Sequence, residues 1–310
     1  MSRRAPGAAP GLAEARKRSM PVNASWLAGP AAAFAGTDDA ELIEERATAF
    51  LTDPDRVETL LAPLVDALRA DPWFEPPFKV SRDRLRTGAV LLDGPMVTIS
   101  ATVTCADELN RLPMPATVVV PGRVTLTHYV RGGRAQMRIW RAEAAGTDFS
   151  AAAAAPADEV TARVIDDGVL VRQDGRTTGH LLIRAESDIV ALTATIKPGA
   201  APLMREYAVA NGTFVRAACA DDSASRIEML LTFLRVSGRA DAGTMFDSAS
   251  RHPAFHLRWA AMREWLMLDG RAARDRLAEL AAHDPNAEIR AAASATLPAL
   301  DRRLDEPCPA

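Results

Sequence analysis

Chemistry in this chain would have to come from few residues. Five histidines, three cysteines and two tyrosines are spread over 310 positions. His128 and His180 stand fifty-two residues apart in a middle region of short alternating segments, while His252, His256 and His283 lie near the C-terminus. His252 and His256 are four apart, a spacing that puts two imidazoles on one helix face and suits zinc. The glutamate of an HExxH pair is missing, however, and Pro253 marks a helix start between them. Cys105 precedes Ala106-Asp107-Glu108, an acidic setting that works against a thiolate nucleophile, and Cys219 sits among Ala217, Ala218 and Ala220 as a small buried residue would. With Cys308 far away, no CxxC and an odd count, the cysteines read as free thiols of a reducing compartment. The chain has no GxSxG elbow, no GxxxxGK[ST] loop and no GxGxxG after a strand, so α/β-hydrolase and phosphate-cradling classes are set aside.

Composition sets the frame for these residues. Apolar residues make up 48% and charged ones 25%, the balance of a chain that folds around a core. No run of eighteen apolar residues occurs, so no membrane helix is expected. The basic start MSRRAPGAAPGLAEARKR lacks the apolar stretch of a secretory signal, which gives a cytoplasmic expectation. The net charge of -3 leaves no excess of positive charge to hold phosphates, so nucleic acid is disfavoured. Arginine outnumbers lysine 34 to 3, a bias that makes each arginine informative only through its position.

The elements that must position these residues follow from periodicity. Residues 1 to 36 lack a sustained period and read as a flexible arm, with Trp26 and Phe34 as its anchors. Thr37-Asp38-Asp39 opens a first helix carrying Leu42, Ile43, Ala47, Phe50 and Leu51. Asp53 with Pro54 opens a second with Val57, Leu60, Leu61, Leu64, Val65 and Leu68 at helical spacing. This pair is acidic, with ten Asp or Glu against three Arg from 36 to 71. A proline-rich entry follows, and the pattern then turns to period two. Strands are expected at 88 to 92, 96 to 104, 116 to 120, 123 to 130, 135 to 141, 159 to 165, 168 to 172, 179 to 184, 188 to 196 and 213 to 218. Gly132-Gly133 forms a hairpin turn, and the alanine-rich stretch 151 to 157 a surface loop. Many short antiparallel strands without helices between them argue for a barrel or sandwich in an α+β chain. The division expected is an arm to 36, an acidic helical pair and entry to 87, a β domain over 88 to 220, a helical region over 221 to 304 and a tail.

That helical region contains a repeat of period 32. His252-Pro253-Ala254-Phe255-His256-Leu257-Arg258-Trp259-Ala260-Ala261 aligns with Asp284-Pro285-Asn286-Ala287-Glu288-Ile289-Arg290-Ala291-Ala292-Ala293, and Trp265 and Leu268 fall over Leu297 and Leu300. A proline-initiated helix with Leu or Ile, then Arg, then paired alanines resembles the second helix of HEAT-type repeats, with Ala272 to His283 as the other helix of a hairpin. The resemblance implies stacked helix pairs that present a binding surface. Trp259, Trp265, Arg258 and Arg290 are its candidate partner-binding residues, against a plainer reading in which the tryptophans are core and the arginines bond to an adjacent turn's carbonyls or Asp.

The β region from 88 to 218, with Leu126-Thr127-His128-Tyr129-Val130-Arg131-Gly132-Gly133 as its glycine-turn hairpin, resembles the cupin superfamily of double-stranded β-helix barrels. That resemblance implies a divalent metal held by two or three His and a Glu, because open coordination sites on iron permit oxygen chemistry. Here HxH is missing, and His128 and His180 with Glu159 or Asp174 are the set that could form a reduced metal site. The missing ligands lead to an expectation of a non-catalytic accessory or interaction protein, without cofactor, that binds a protein or peptide partner. The alternative is a metal-dependent cupin-type oxygenase or isomerase with His128 and His180 as ligands. A third reading, nucleic-acid binding by the HEAT-like helices, meets only nine Arg against seven Asp or Glu between 251 and 303.

Overall fold

A computed structural model describes residues 25–71, 73–74, 80–146, 148–220 and 222–305. Most of the expected arm, most of the proline-rich entry, Cys308 and the side chain of Trp26 lie outside the described residues. The chain runs α1 (Ser25–Ala32), α2 (Ala40–Leu51), α3 (Pro54–Ala70), β1 (Val80–Arg82), β2 (Arg86–Asp93), β3 (Val97–Thr104), α4 (Ala106–Arg111), β4 (Thr117–Val120), β5 (Val124–Arg131), β6 (Ala135–Arg141), β7 (Asp158–Ile165), β8 (Val169–Asp174), β9 (Thr178–Arg184), β10 (Ile189–Ile196), β11 (Leu203–Ala208) and β12 (Phe214–Cys219). The helices α5 (Asp222–Val236), α6 (Gly243–Ala249), α7 (Phe255–Leu268), α8 (Gly270–His283) and α9 (Ala287–Asp305) complete it.

The N-terminal helices begin where their caps require. Asp39 accepts from the Glu41 amide and Asp53 from those of Asp55 and Arg56, with Pro54 in the first turn, satisfying amides that a helix start leaves open. Ile43, Ala47, Phe50 and Leu51 from α2 and Leu60 from α3 pack with Phe34 onto Val97, Ile99, Leu126, Leu192, Ala194 and Ile196 of the large sheet. Each such side chain, fully removed from water, contributes on the order of 1.5–3 kcal/mol. Val65 and Leu68 of the expected α3 stripe remain exposed.

All strands pair antiparallel, in three sheets of order β1-β2-β3-β10-β5-β8, β12-β11-β4 and β7-β6-β9. The fold is α+β with antiparallel sheets and C-terminal helices, and the described strands do not join into a closed barrel. The two small sheets abut where β9 meets β4, at Gly179, whose position would put a Cβ 2.5 Å from the Val119 carbonyl oxygen. One face of the large sheet carries the N-terminal helices. On its other face, Tyr129, Val171, Ile189 and Ala191 pack with Ala135, Met137 and Ile165 of the β7-β6-β9 sheet, so two layers share an inner core.

Each of the ten expected strands is present with its ends within two residues. Two further strands escape the pattern for physical reasons. In β11 the inward positions are Leu203, Arg205 and Tyr207, so a buried arginine interrupts the apolar alternation, and β1 is a three-residue edge strand exposed throughout. Gly132 and Gly133 do form the turn between β5 and β6. Gly133 takes φ 59°, the Gly132 amide donates to Asp167 at 2.7 Å, and both glycines lie against backbone carbonyls that a side chain would strike.

In the C-terminal helices, Phe246 and Trp265 stack at 6.4 Å within a core that includes Leu257, Ala261, Met262, Ala273, Leu277, Leu280, Ile289, Ala293 and Leu300. The period of 32 is matched in hydrogen bonding. Arg258 Nη1 donates to the carbonyls of His252 and Pro253 at 3.1 and 3.0 Å, and Arg290 Nη1 to those of Asp284 and Pro285 at 2.5 and 3.0 Å. The copies then diverge. Arg258 also holds buried Asp284 through two bonds of 2.8 and 2.7 Å, whereas Arg290 is half-buried.

Candidate functional site

Strand register assigns the candidate residues to faces, because directly opposed residues of an antiparallel pair share one side of the sheet. His128 in β5 faces Leu192 and Leu170, which belong to the core under the N-terminal helices. Its Nδ1 is buried there without a hydrogen-bond partner among the described residues. His180 in β9 faces Ile139 of β6, which packs against the inner core between the layers. The structure therefore does not bring the two histidines together: they belong to different sheets, and the large sheet itself lies between them.

The two candidate acids are engaged elsewhere. Asp174 is opposite Val124, on the helix-covered face, and holds Arg176 through bonds of 2.8 and 2.7 Å. Glu159 is opposite buried Trp140 and binds Arg138, which keeps its carboxyl below the usual range. Among the described residues there is no group of three or more His, Cys, Asp or Glu that could hold a metal ion. The donors present on the inner face, one imidazole, one phenol and hydroxyls, do not fit the ligand set that a divalent ion in a cupin-type site requires.

The inner face has a character of its own. Thr104, Thr102 and Ser100 of β3 oppose Ile189, Ala191 and Thr193 of β10, and Thr125, Thr127 and Tyr129 of β5 continue the row. Thr127 and Thr193 bring their hydroxyls to 3.1 Å. Across the layer stand Met137, Ile139, Leu182 and His180. Arg86, opposite Thr104, and Arg163, opposite Met137, start from the same face, and both are exposed. Neither guanidinium has an ion pair or a side-chain hydrogen bond among the described residues.

Electrostatics tie these groups together. Burial, followed by the charges of Arg86 and Arg163, depresses His180 from 6.5 to about 4, so the imidazole is neutral at physiological pH. Burial pushes Tyr129 up to about 12 against the pull of the same two arginines, so its hydroxyl keeps its proton. Together they form a neutral imidazole and a phenol donor beside two cations that have no ion pair among the described residues.

The other candidates occupy packing and hydrogen-bonding positions. Trp265 and Arg258 are buried, and Trp259 is half-buried against the helical core. His252 and His256 do not converge: the Ala254 amide donates to His252 Nδ1 at 3.1 Å, and His256 Nε2 lies 2.9 Å from Cys219 Sγ.

No family model matches the chain, and no curated protein does. Solved structures are similar over part of it. Ectoine synthase from P. lautus is 14% identical with a TM-score of 0.24, covering 38% of this chain and 69% of that one. FeII HppE is 4% identical with a TM-score of 0.26, over 39% and 56%. A conserved protein with a double-stranded β-helix domain from Klebsiella pneumoniae is 7% identical with a TM-score of 0.25, over 39% and 84%. At these values the likeness assigns no residue. The similar structures include a synthase and an FeII protein, and the expectation of a non-catalytic accessory protein without cofactor is not carried further. Among the described residues no helix is long and apolar enough to cross a membrane.

Proposed function

We propose that this chain is a cupin-type enzyme that acts on a small anionic molecule at the inner face between its β layers. The observation that carries this reading is the presence of Arg86 and Arg163, both without ion-pair partners among the described residues, beside neutral His180 and protonated Tyr129. Guanidinium groups recognise carboxylates and phosphates through paired charge-assisted hydrogen bonds. An anion between the two arginines would offset their share of the depression of His180, which is smaller than that of burial, and so raise the imidazole above its unliganded value. Ligand binding would thus strengthen the base. Tyr129 would donate a hydrogen bond to an oxygen of the bound molecule, and the threonine hydroxyls would orient the remainder. A divalent metal would supply Lewis-acid or redox chemistry to an enzyme of this type, but no step is assigned to one, because the inner-face donors do not match its ligand set. The C-terminal helices, read as two HEAT-type units, would brace the β region.

Calorimetric titration with inorganic phosphate, oxalate and malonate provides the test. Arg86→Ala and Arg163→Ala should each weaken binding about tenfold or more, in line with the loss of a charge-assisted pair. Equal affinity in both variants would overturn the anion reading. Metal analysis of protein purified without chelator, with His180→Gln beside it, tests the role of the base. Near-stoichiometric metal lost in that variant would make His180 a ligand and remove it as the proton carrier.

A further inference from the structure

The C-terminal end of β12 meets the first turn of α7 at a contact the inner face does not involve. His256 Nε2 lies 2.9 Å from Cys219 Sγ, and both residues are half-buried. Cys219 is fixed from the sheet side by its pairing with Leu203, itself buried, and it packs against the helical core. His256 is held by its place in α7 and by Phe255, whose ring stands edge-on to the imidazole at 5.6 Å. A sulfur and an imidazole nitrogen presented at hydrogen-bond range from two separately anchored elements form the nucleophile-and-base arrangement of activated cysteines. Cys105, by contrast, is the N-cap residue of a six-residue helix whose first turn holds Asp107 and Glu108.

We infer that Cys219 and His256 form a reactive thiol–imidazole pair that takes low-molecular-weight disulfides, making Cys219 a covalent modification site at the joint between the β region and the C-terminal helices. In the step, Cys219 Sγ attacks one sulfur of the disulfide. A new S–S bond forms, the old one breaks, and the other half leaves as a thiolate. The Cys219 proton passes to His256 Nε2 and from there to the departing thiolate, so one disulfide replaces another with no net redox change. An adduct at this position enters the seam between Leu203 and Phe255 and loosens the packing of α7 against β12.

The experiment exposes the full chain to oxidised glutathione and follows occupancy of each cysteine by peptide mass spectrometry. Cys219 is expected to react at least tenfold faster than Cys105 at pH 7, and His256→Gln should remove that advantage. An unassisted thiol slows about tenfold per pH unit as its thiolate is lost, so in the wild type the ratio of the Cys219 rate to the Cys105 rate should rise as pH is lowered from 8 to 6, a change that a packing role would not produce. Should His256→Gln fail to fold, this wild-type pH profile decides alone. Equal rates at Cys219 and Cys105, a variant within twofold of wild type, or a Cys219 to Cys105 rate ratio that does not change with pH would each overturn the assignment.

Discussion

His180 links the candidate site to the stability of the whole chain, and the linkage has a definite sign. The folded imidazole titrates at about 4 against 6.5 in the unfolded chain, with burial as the main cause. Above 6.5 both states are neutral and the group contributes no pH dependence. As pH falls below 6.5 the unfolded imidazole takes a proton that the folded one refuses, so the unfolded state is favoured until the folded group titrates as well. A gap of about 2.5 pH units between the states is worth about 3 kcal/mol in full, of which about 2 kcal/mol is lost by pH 5. That is a large share of the ~5–15 kcal/mol by which domains are stable. Carboxylates contribute mainly below this window, so pH 7 and pH 5 isolate imidazole effects. Urea unfolding at both values should show the wild type losing about 2 kcal/mol more than His180→Gln. NMR titration of the His180 ring should place it near 4 without ligand, and higher with phosphate bound. A ring that titrates at 6 or above, or an equal loss in the variant, would refute the buried neutral imidazole and the ligand-strengthened base derived from it.

Other perturbations probe the frame around the site. Asp284→Asn leaves Arg258 buried without its carboxylate and should cost about 3–5 kcal/mol in chemical denaturation, whereas Arg290→Ala, which removes bonds to carbonyls from a half-buried side chain, should cost about 1–2 kcal/mol. Gly179→Ala puts a Cβ 2.5 Å from the Val119 carbonyl and should lower the thermal midpoint by several degrees, as expected for a loss above about 1 kcal/mol. Gly168→Ala meets nothing within 4 Å, so its cost is limited to the strain of φ 75° and should be the smaller of the two.

Much of the architecture is legible in the sequence because it rests on local signals. Asp39 and Asp53 cap the helices they announce, the glycine pair at 132 and 133 turns the chain where expected, and period-two alternation locates ten strands. What is not legible depends on long-range compensation. Arg205 is 1% exposed, with Nη1 donating to the Glu143 carbonyl and the Tyr207 hydroxyl and Nη2 to the Arg176 carbonyl, while Nε makes no hydrogen bond among the described residues. The two carbonyls lie far from residue 205 along the chain, so periodicity does not find the strand that carries it. Sheet order has the same origin: β10 lies between β3 and β5 through contacts that cross most of the β region.

The candidate site is half visible in the same way. Period two alone can separate His128 from Tyr129, since neighbouring strand residues point to opposite faces, and the apolar row Val124, Leu126 against the hydroxyl row Thr125, Thr127 distinguishes a covered face from an inner one. On that alternation His128 belongs with the leucines and Tyr129 with the threonines. The sequence could not supply the approach of Arg86 and Arg163 to His180, because their strands, β2, β7 and β9, lie in two different sheets. The choice between a metal centre and an anion site therefore turns on which strands meet across the inner core. Charge is the physical discriminator: two guanidinium groups without ion-pair partners among the described residues, beside an imidazole, oppose a bound cation and favour a bound anion.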